Sequence, residues 1–311
     1  MAEWLDVTSA IAADYIHDRM VNPLPVVSLG LKAFDRTMMS WGMGRGLVRG
    51  TYCIVGGASN AGKTQYGLAL ARNAANSGER AGVISLDMKK ADALLRLHQA
   101  IVPEIPSDQW RPDRWKPEYG TKLKDGLVRW RKSVKGELGL DAMAKGDVDY
   151  VLAELTKGVE AGVTYFVVDH LQKVSVRGVS HPAERAEIIS EALDNFCDEH
   201  EVTIIGLSQL NREASRDRNR VPIMQDLLGG TSLESNTQVV IMLDHSRYER
   251  DHDRPHLGRT WLLLDKNQQG PKGFECAVEI DHRNLGYREA RPDELHLWPG
   301  EQQTNGNGRR R

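Results

Sequence analysis

The stretch "IVGGASNAGKTQYGLALARNAANSG", residues 54–78, decides the fold of this chain. Two β-branched residues precede a glycine-rich turn, and an Ala- and Leu-rich run that predicts a helix follows it. Gly57 and Gly62-Lys63-Thr64 match the pattern G-x-x-x-x-G-K-[ST], in which backbone N–H groups and a helix N-terminus surround phosphate oxygens. A strand before the turn and a helix after it are the context this motif requires, so the sequence predicts a phosphate-binding loop.

Each position of the predicted loop has a chemical task. Lys63 is expected to contact the β- and γ-phosphates, and the Thr64 hydroxyl to ligate Mg²⁺. The residues predicted to bind the nucleotide are Gly57, Ala58, Ser59, Asn60, Ala61, Gly62, Lys63, Thr64 and Gln65. The motif alone indicates ATP or GTP, together with Mg²⁺.

Three further strand ends carry polar side chains that suit this chemistry. "TYFVVDH" brings Asp169 to a position where a carboxylate can hold Mg²⁺ beside the phosphate loop. "VISLDM" places Asp87 where it could polarise the attacking water, although it could instead cap the following helix. Gln209 ends "VTIIGLSQ", where its amide could sense the γ-phosphate and move the segment that follows.

Short apolar runs alternate with helical segments through most of the chain. Runs rich in Val and Ile, such as "TYCIVG", "TYFVVDH" and "TQVVIMLD", are typical of strands buried on both faces. Helices are predicted between them over residues 64–76, 91–101, 148–161 and 183–200. We therefore predict an α/β fold with a mainly parallel, helix-flanked sheet, and "RTWLLLDKNQQGPKGFECAVEID" predicts a C-terminal antiparallel hairpin.

Composition limits the classes of partner and compartment. The formal charge is -2, from 41 Lys and Arg against 43 Asp and Glu, so any polyanion site must be a local patch. The three cysteines, Cys53, Cys197 and Cys276, are too widely spaced for a structural zinc site or a disulfide framework. No apolar run approaches the roughly 18 residues of a membrane span, and the N-terminus is acidic. A cytoplasmic protein without membrane association is expected.

The segment after Gln209 is the clearest local basic patch. It contains Arg212, Arg216, Arg218 and Arg220 in a polar stretch that ends at a Gly-Gly pair. Such a loop could bind a phosphate backbone and couple it to the nucleotide state, or it could be an ordinary solvated surface loop.

Three other segments set the domain organisation. Residues 3–20 have helical spacing and could cap their own core or dock on a neighbouring subunit. Residues 108–133 interleave Trp110, Trp115 and Trp130 with basic residues; this favours a helical insertion with inward tryptophans over a nucleic-acid stacking site. The tail is polar and predicted to be disordered. The expected organisation is a helix and linker at 1–24, a motor domain at 25–299 and a tail at 300–311.

In combination these segments resemble the C-terminal motor domain of DnaB-type replicative hexameric helicases, a branch of the RecA-like ATPases. "SLDM" is similar to the family's "SLEM", "VVDHLQ" to "IDYLQ", and "LDKNQQGPKG" to "AKQRNGPTG". "LGLKAFDRTMMSWGMGRGLVRGTYCIVGGASNAGKT" is similar to the segment that leads into the family's first core strand. The shared order of the segments from Leu29 to Asp281 is more specific than any one of them.

The resemblance implies a ring, with six subunits in the family, that binds ATP between subunits and moves along single-stranded DNA. It implies that Asp87 is the catalytic base and that Lys266 acts on the neighbouring subunit's nucleotide. A helicase loader or a primase becomes a possible partner.

Three departures distinguish this sequence from the family pattern. Gln268 stands where the family has an arginine that reaches the neighbouring γ-phosphate, so hydrolysis could be slow or could use another residue such as Arg283. Asp87 is one methylene shorter than the family's Glu. The family's separate N-terminal collar has only a predicted helix as its counterpart here. These departures fit a stripped-down motor of the kind that viruses and plasmids encode.

The leading hypothesis is an ATP-driven helicase or translocase on single-stranded DNA in replication. The alternative is a RecA- or KaiC-like DNA-binding ATPase that uses ATP as an assembly switch without unwinding. A subunit that loads or regulates a partner helicase is a third, weaker hypothesis.

Overall fold

The computed structural model describes residues 10–23, 25–38, 45–142, 146–217, 219–254, 256–284 and 286–297. The first residues of the predicted N-terminal helix, the predicted tail and Arg218 lie outside these ranges. The α-helices are α1 (Ala10–Val21), α2 (Lys32–Thr37), α3 (Lys63–Ser77), α4 (Lys90–Ile101), α5 (Pro117–Ser133), α6 (Val148–Glu160), α7 (Pro182–His200), α8 (Arg212–Arg216) and α9 (Gly230–Asn236).

One nine-stranded sheet organises the described chain. The strands are β1 (Val26–Val27), β2 (Leu47–Val48), β3 (Tyr52–Gly57), β4 (Arg80–Ser85), β5 (Glu137–Ala142), β6 (Gly146–Asp147), β7 (Tyr165–Asp169), β8 (Val174–Ser175), β9 (Thr203–Gln209), β10 (Val239–Arg250), β11 (Leu257–Asn267), β12 (Phe274–Asp281) and β13 (Gly286–Glu289). The order in the large sheet is β13-β12-β11-β10-β3-β9-β7-β4-β5. The strands from β10 to β5 are parallel, and β11, β12 and β13 continue the sheet antiparallel.

Helices pack on both faces of this sheet because its inner strands are apolar on both sides. Along β3, Cys53 and Val55 belong to one core cluster, while Tyr52 and Ile54 belong to another, as the alternation of side chains in a strand requires. The first cluster is closed by α3 and α4, and the second by α6, α7 and α9. The predicted α/β class, with a mainly parallel sheet, is confirmed.

The predicted elements agree closely with the observed ones. The four helices predicted between the strands are all present, with ends that differ by one residue at most, and the predicted hairpin is β11 and β12, paired with Leu264 opposite Phe274. The edge strands β5 and β13 were not predicted. Their sequences, "ELGLDA" and "GYRE", lack the β-branched runs that mark the inner strands. Pairing with a neighbouring strand stabilises them as strands although their intrinsic β propensity is low.

The tryptophan-rich segment is a helical insertion, as predicted. Trp110 is buried in a small cluster with Val102, Ile105 and Tyr119, and its indole N–H donates to the Ile105 carbonyl at 3.2 Å. Trp115 lies against Trp110 with ring centroids 5.5 Å apart and keeps 38% of its surface exposed. Trp110 and Trp115 therefore help to hold α5 against the loop that precedes it, whereas Trp130 packs against the larger core.

Helix α1 exposes its apolar side chains instead of packing them into the core clusters. Ile11, Ile16, Met20 and Val21 are between 56% and 71% exposed. The proposal that this helix caps its own core is therefore wrong for these residues, and docking elsewhere is the alternative that stays open.

Cys53, Cys197 and Cys276 are all buried free thiols. Across the described ranges, the helices are either too short or too polar to cross a bilayer. In the same ranges no group of three or more His, Cys, Asp or Glu side chains is arranged to hold a metal ion.

Candidate active site

The order of the parallel strands brings the predicted site residues together. Strand β9 lies beside β3, with Gln209 opposite Gly57. Strand β7 is next, and its last residue, Asp169, pairs with Ser85 at the end of β4, two residues before Asp87. Because these strands are parallel, all their carboxyl ends face one edge of the sheet, which we call the nucleotide edge.

The phosphate loop has the backbone that its glycines permit. Gly62 has φ of +92°, a left-handed conformation that favours glycine, and α3 begins at the next residue. The Lys63 ammonium turns back into the loop and donates to the carbonyls of Gly57 at 2.9 Å and Ala58 at 2.7 Å. Burial lowers the pKa of Lys63 to about 8, against the opposing effect of Asp169. The Lys63 ammonium is therefore held by two backbone carbonyls of the loop, close to the position where a phosphate group is expected.

Asp169 is a buried carboxylate next to the loop. It is 2% exposed, and burial raises its pKa to about 6, while a hydrogen bond from Thr64 and the charges of Lys63 and Arg96 act in the opposite direction. Its Oδ2 atom is buried without a hydrogen-bond partner. A buried carboxylate oxygen without a partner, beside a hydroxyl, is the donor set that a hard divalent cation such as Mg²⁺ suits.

Asp87 follows the end of β4, and its side chain is exposed. Its carboxylate pairs with the Lys173 ammonium at 3.0 Å. Helix α4 begins at Lys90, three residues later, and its N-cap position, Lys89, has no side-chain capping bond. The alternative that Asp87 caps this helix is therefore wrong, and its carboxylate faces the cleft.

Gln209 is half-buried and held by two side chains that the sequence did not indicate. Its backbone N–H donates to the Gln172 Oε1 atom at 3.1 Å, and its side-chain amide lies 3.3 Å from the Nε2 atom of His170. Burial lowers the pKa of His170, which is 5% exposed. The signal for both residues was their position directly after Asp169 in "VVDHLQ".

A cleft of about 490 Å³ joins these groups. It is lined by Ser59, Asn60, Gly62, Lys63, Thr64, Gln65, Asp87, Met88, Arg96, Asp169, His170, Gln209 and His282. Arg96 and His282 were missed by the sequence argument. Arg96 is on α4 after Asp87, and His282 follows β12 and donates from Nδ1 to the Gln65 Oε1 atom, 3.0 Å away. Only the fold brings them to the cleft, since neither belongs to a strand end of the parallel sheet.

The predicted DNA-binding arginines differ in their surroundings. Arg212 and Arg216, the first and last residues of α8, are exposed. Arg220 instead forms an ion pair with the buried Asp226, which ties it to its own loop. Arg218 is outside the described residues.

Lys266 and Gln268 lie on the side of the sheet opposite the nucleotide edge, where the parallel strands begin. Lys266 pairs with Val240, near the start of β10, whereas the phosphate loop follows the end of β3. Gln268 is exposed in the turn after β11. We call this side the far edge.

Arg283, offered as a substitute for the missing arginine, lies beside the nucleotide edge and is bound to Asp281 at 2.9 Å. It is therefore separated from Lys266 by the length of the hairpin strands.

Comparison with known proteins places the chain in a family. Residues 27–284 match the family described as the DnaB-like helicase C terminal domain. The chain belongs to this family. It is 26% identical over 263 residues to the replicative DNA helicase DnaB of Geobacillus stearothermophilus, covering 83% of this chain and 57% of that protein. It is 25% identical over 292 residues to the replicative DNA helicase DnaC of Bacillus subtilis, covering 92% of this chain and 62% of that protein.

Solved structures show the same fold. One structure, described as an ATPase domain, matches with a TM-score of 0.72 and 17% identity, covering 93% of this chain and all of that one. A structure of a DnaB-like replicative helicase and its interactions with primase matches with a TM-score of 0.74 and 17% identity, covering 92% of this chain and 69% of that one. The RecA-like fold and the resemblance to DnaB-type proteins are thereby confirmed. The chain spans about three fifths of the length of the two bacterial helicases.

Proposed function

We propose that this DnaB-like chain hydrolyses ATP to move along single-stranded DNA and unwind duplex DNA during replication. The observation that carries the proposal is the single cleft that holds Lys63, Asp87, Asp169 and Gln209. The names of its relatives, replicative DNA helicases, support the choice of substrate. Family membership favours this function over an ATP-driven assembly switch.

The residues of the cleft fit a magnesium-bound triphosphate. Asp169 and Thr64 would hold Mg²⁺, since Asp169 Oδ2 has no hydrogen-bond partner and Thr64 lies beside it. Bound Mg²⁺ neutralises charge on the β- and γ-phosphate oxygens. Lys63 would exchange two backbone carbonyls for phosphate oxygens. Asp87 would accept the proton of the attacking water on a carboxylate oxygen, and Gln209 would hydrogen-bond the γ-phosphate.

We further propose that residues 25–299 form the motor domain of a ring-shaped homo-oligomer, with six subunits as in the family. The far edge carries Lys266, which cannot reach the phosphate loop of its own chain, so its proposed target is a neighbour's nucleotide. The exposed apolar side chains of α1 support docking on a second copy of the chain. A helicase loader or primase is a further proposed partner, in a cytoplasmic setting.

Single-stranded DNA would contact the loop that follows Gln209. Arg212 and Arg216 are exposed there and directly continue the strand that ends at the proposed γ-phosphate sensor. Such cations would bind the phosphate backbone without sequence preference.

Three measurements test this function. Single-stranded DNA should accelerate ATP hydrolysis, and a forked duplex should be opened only when ATP is hydrolysed. The mass in solution should rise to that of a ring when ATP and single-stranded DNA are added. ATP-dependent assembly that never opens the fork would contradict the helicase proposal and support the assembly switch.

A further inference from the structure

His170 lies between the two carboxylates of the cleft and the amide of Gln209. Its Nδ1 atom is 3.9 Å from the Asp87 Oδ2 atom and 3.9 Å from the Asp169 Oδ1 atom. Its Nε2 atom, on the other side of the ring, is 3.3 Å from the Gln209 Nε2 atom. The ring is buried at 5% exposure, so its position is fixed by these neighbours and by packing.

The hydrogen-bonding chemistry assigns a direction to this arrangement. An amide nitrogen can only donate, so the His170 Nε2 atom must accept from Gln209. A neutral imidazole then carries its proton on Nδ1, the atom that faces Asp87 and Asp169. The ring therefore presents a donor to the carboxylates and an acceptor to the amide.

The backbone of Gln209 is already anchored, so its side chain is the part that His170 controls. The Gln209 carbonyl accepts from the Leu228 N–H at 3.0 Å. The next N–H, of Leu210, donates to the Gly57 carbonyl at 3.2 Å, the same carbonyl that accepts from Lys63. Strand β9 thus meets the phosphate loop and the arginine-bearing segment at one junction, and the direction of the Gln209 amide depends on the imidazole.

We propose, on the basis of the function proposed above, that His170 is a positioning residue that couples the carboxylates of the cleft to Gln209. A change in what Asp87 and Asp169 bind alters the charge that faces Nδ1 at 3.9 Å, and the ring responds in its contact with the Gln209 amide. The amide is followed directly by α8 and its exposed arginines. The consequence is that His170 sets how strongly DNA binding and ATP hydrolysis depend on each other.

This role belongs to the present chain and not to the motif that it resembles. The motif "IDYLQ" has a tyrosine where this sequence has His170. A tyrosine offers one polar atom, at the end of its ring, whereas an imidazole offers two on opposite sides. Only the imidazole can contact the carboxylates and the amide at the same time.

Two variants at His170 test the two-sided arrangement. His170→Gln supplies an amide oxygen that can accept from Gln209 and an amide nitrogen that can donate toward the carboxylates, whereas His170→Phe keeps the ring volume and removes both polar atoms. The measurements are kcat and KM for ATP, each with and without single-stranded DNA, and the melting temperature of each variant.

We expect His170→Phe to reduce the stimulation of kcat by DNA about tenfold, within the range of known coupling effects, while KM for ATP changes by less than about twofold. His170→Gln should restore most of the stimulation. Adding His170→Phe to Gln209→Ala should cause no further loss, because both changes break the same contact.

Specific results would overturn the inference. Full stimulation in His170→Phe, no recovery in a stably folded His170→Gln, or additive losses in the double variant would each do so. If single-stranded DNA does not change the rate of ATP hydrolysis by the wild-type protein, the proposed function is overturned, and the coupling role of His170 is overturned with it. Wild-type stimulation that survives in the Phe variant would overturn the role of His170 alone. If His170→Phe melts early, His170→Leu, which also removes both polar atoms, takes its place in the additivity test.

Discussion

The nucleotide edge and the far edge of the parallel sheet differ in how many of the residues proposed for catalysis can act within one chain. At the nucleotide edge, Lys63, Asp87 and Gln209 each have a partner within the same chain, and Asp169 is buried among them. At the far edge, Gln268 is exposed and Lys266 is out of reach of its own phosphate loop. We propose from this difference that one chain binds a nucleotide, while its turnover depends on a second chain.

The largest effect is expected from the nucleotide edge itself. Lys63→Ala removes the cation proposed to contact the triphosphate, and we expect kcat/KM for ATP to fall by at least about 10²-fold. Lys157→Ala is the matched control, because Lys157 is exposed on α6 and pairs with Glu154 on the same helix. ATP hydrolysis by Lys63→Ala at the wild-type rate would refute every role proposed for this cleft.

The next effect concerns helix α1, the surface proposed to join subunits. Replacing Ile11 and Ile16 together by Ser should weaken assembly by about 10²-fold or more, since a fully buried isoleucine contributes roughly 1.5–3 kcal/mol. The mass in solution as a function of protein concentration measures this, with Asp14→Ser on the same helix as the control. Equal assembly of all three proteins would show that α1 is not part of the interface.

A substitution at the far edge should cause a smaller change, which is an increase in ATP turnover. Gln268→Arg should raise the ATP turnover of the assembled protein about tenfold, a small part of the roughly 10³-fold that an arginine finger can supply. Lys266→Ala should lower turnover and leave nucleotide affinity unchanged, because its proposed target is a neighbour's nucleotide. If Lys266→Ala weakens ATP binding to the isolated subunit, the division between the two edges is wrong.

The smallest expected effect is on DNA binding. Arg212→Ala should weaken binding of all sequences about equally and reduce the slope of log K against log salt by about 1. Arg220→Ala should leave the slope unchanged, because Arg220 is already paired with Asp226. Titrations at several salt concentrations compare the two, and equal slopes for Arg212→Ala and wild type would make α8 an ordinary surface helix.

Much of the nucleotide edge could be predicted from the sequence because its signals are local. A glycine-rich turn before Lys63 and acids at the ends of apolar strands, Asp87 and Asp169, are visible without any knowledge of the fold. The contacts of His170, Arg96 and His282 were not predictable in the same way. They depend on which strands are neighbours and how α4 and β12 lie over the sheet, and neither follows from spacing along the chain.

The sequence alone determined the strand-loop-helix unit, the mainly parallel sheet and the identity of the strand-end residues, because periodicity and turn chemistry act over a few residues. The tertiary structure decided that β9 lies between β3 and β7, that Asp87 pairs with Lys173 and does not cap α4, and that Arg283 and Lys266 lie at opposite edges. These outcomes depend on strand order and register. Both are set by the burial of apolar surface between segments far apart in the chain.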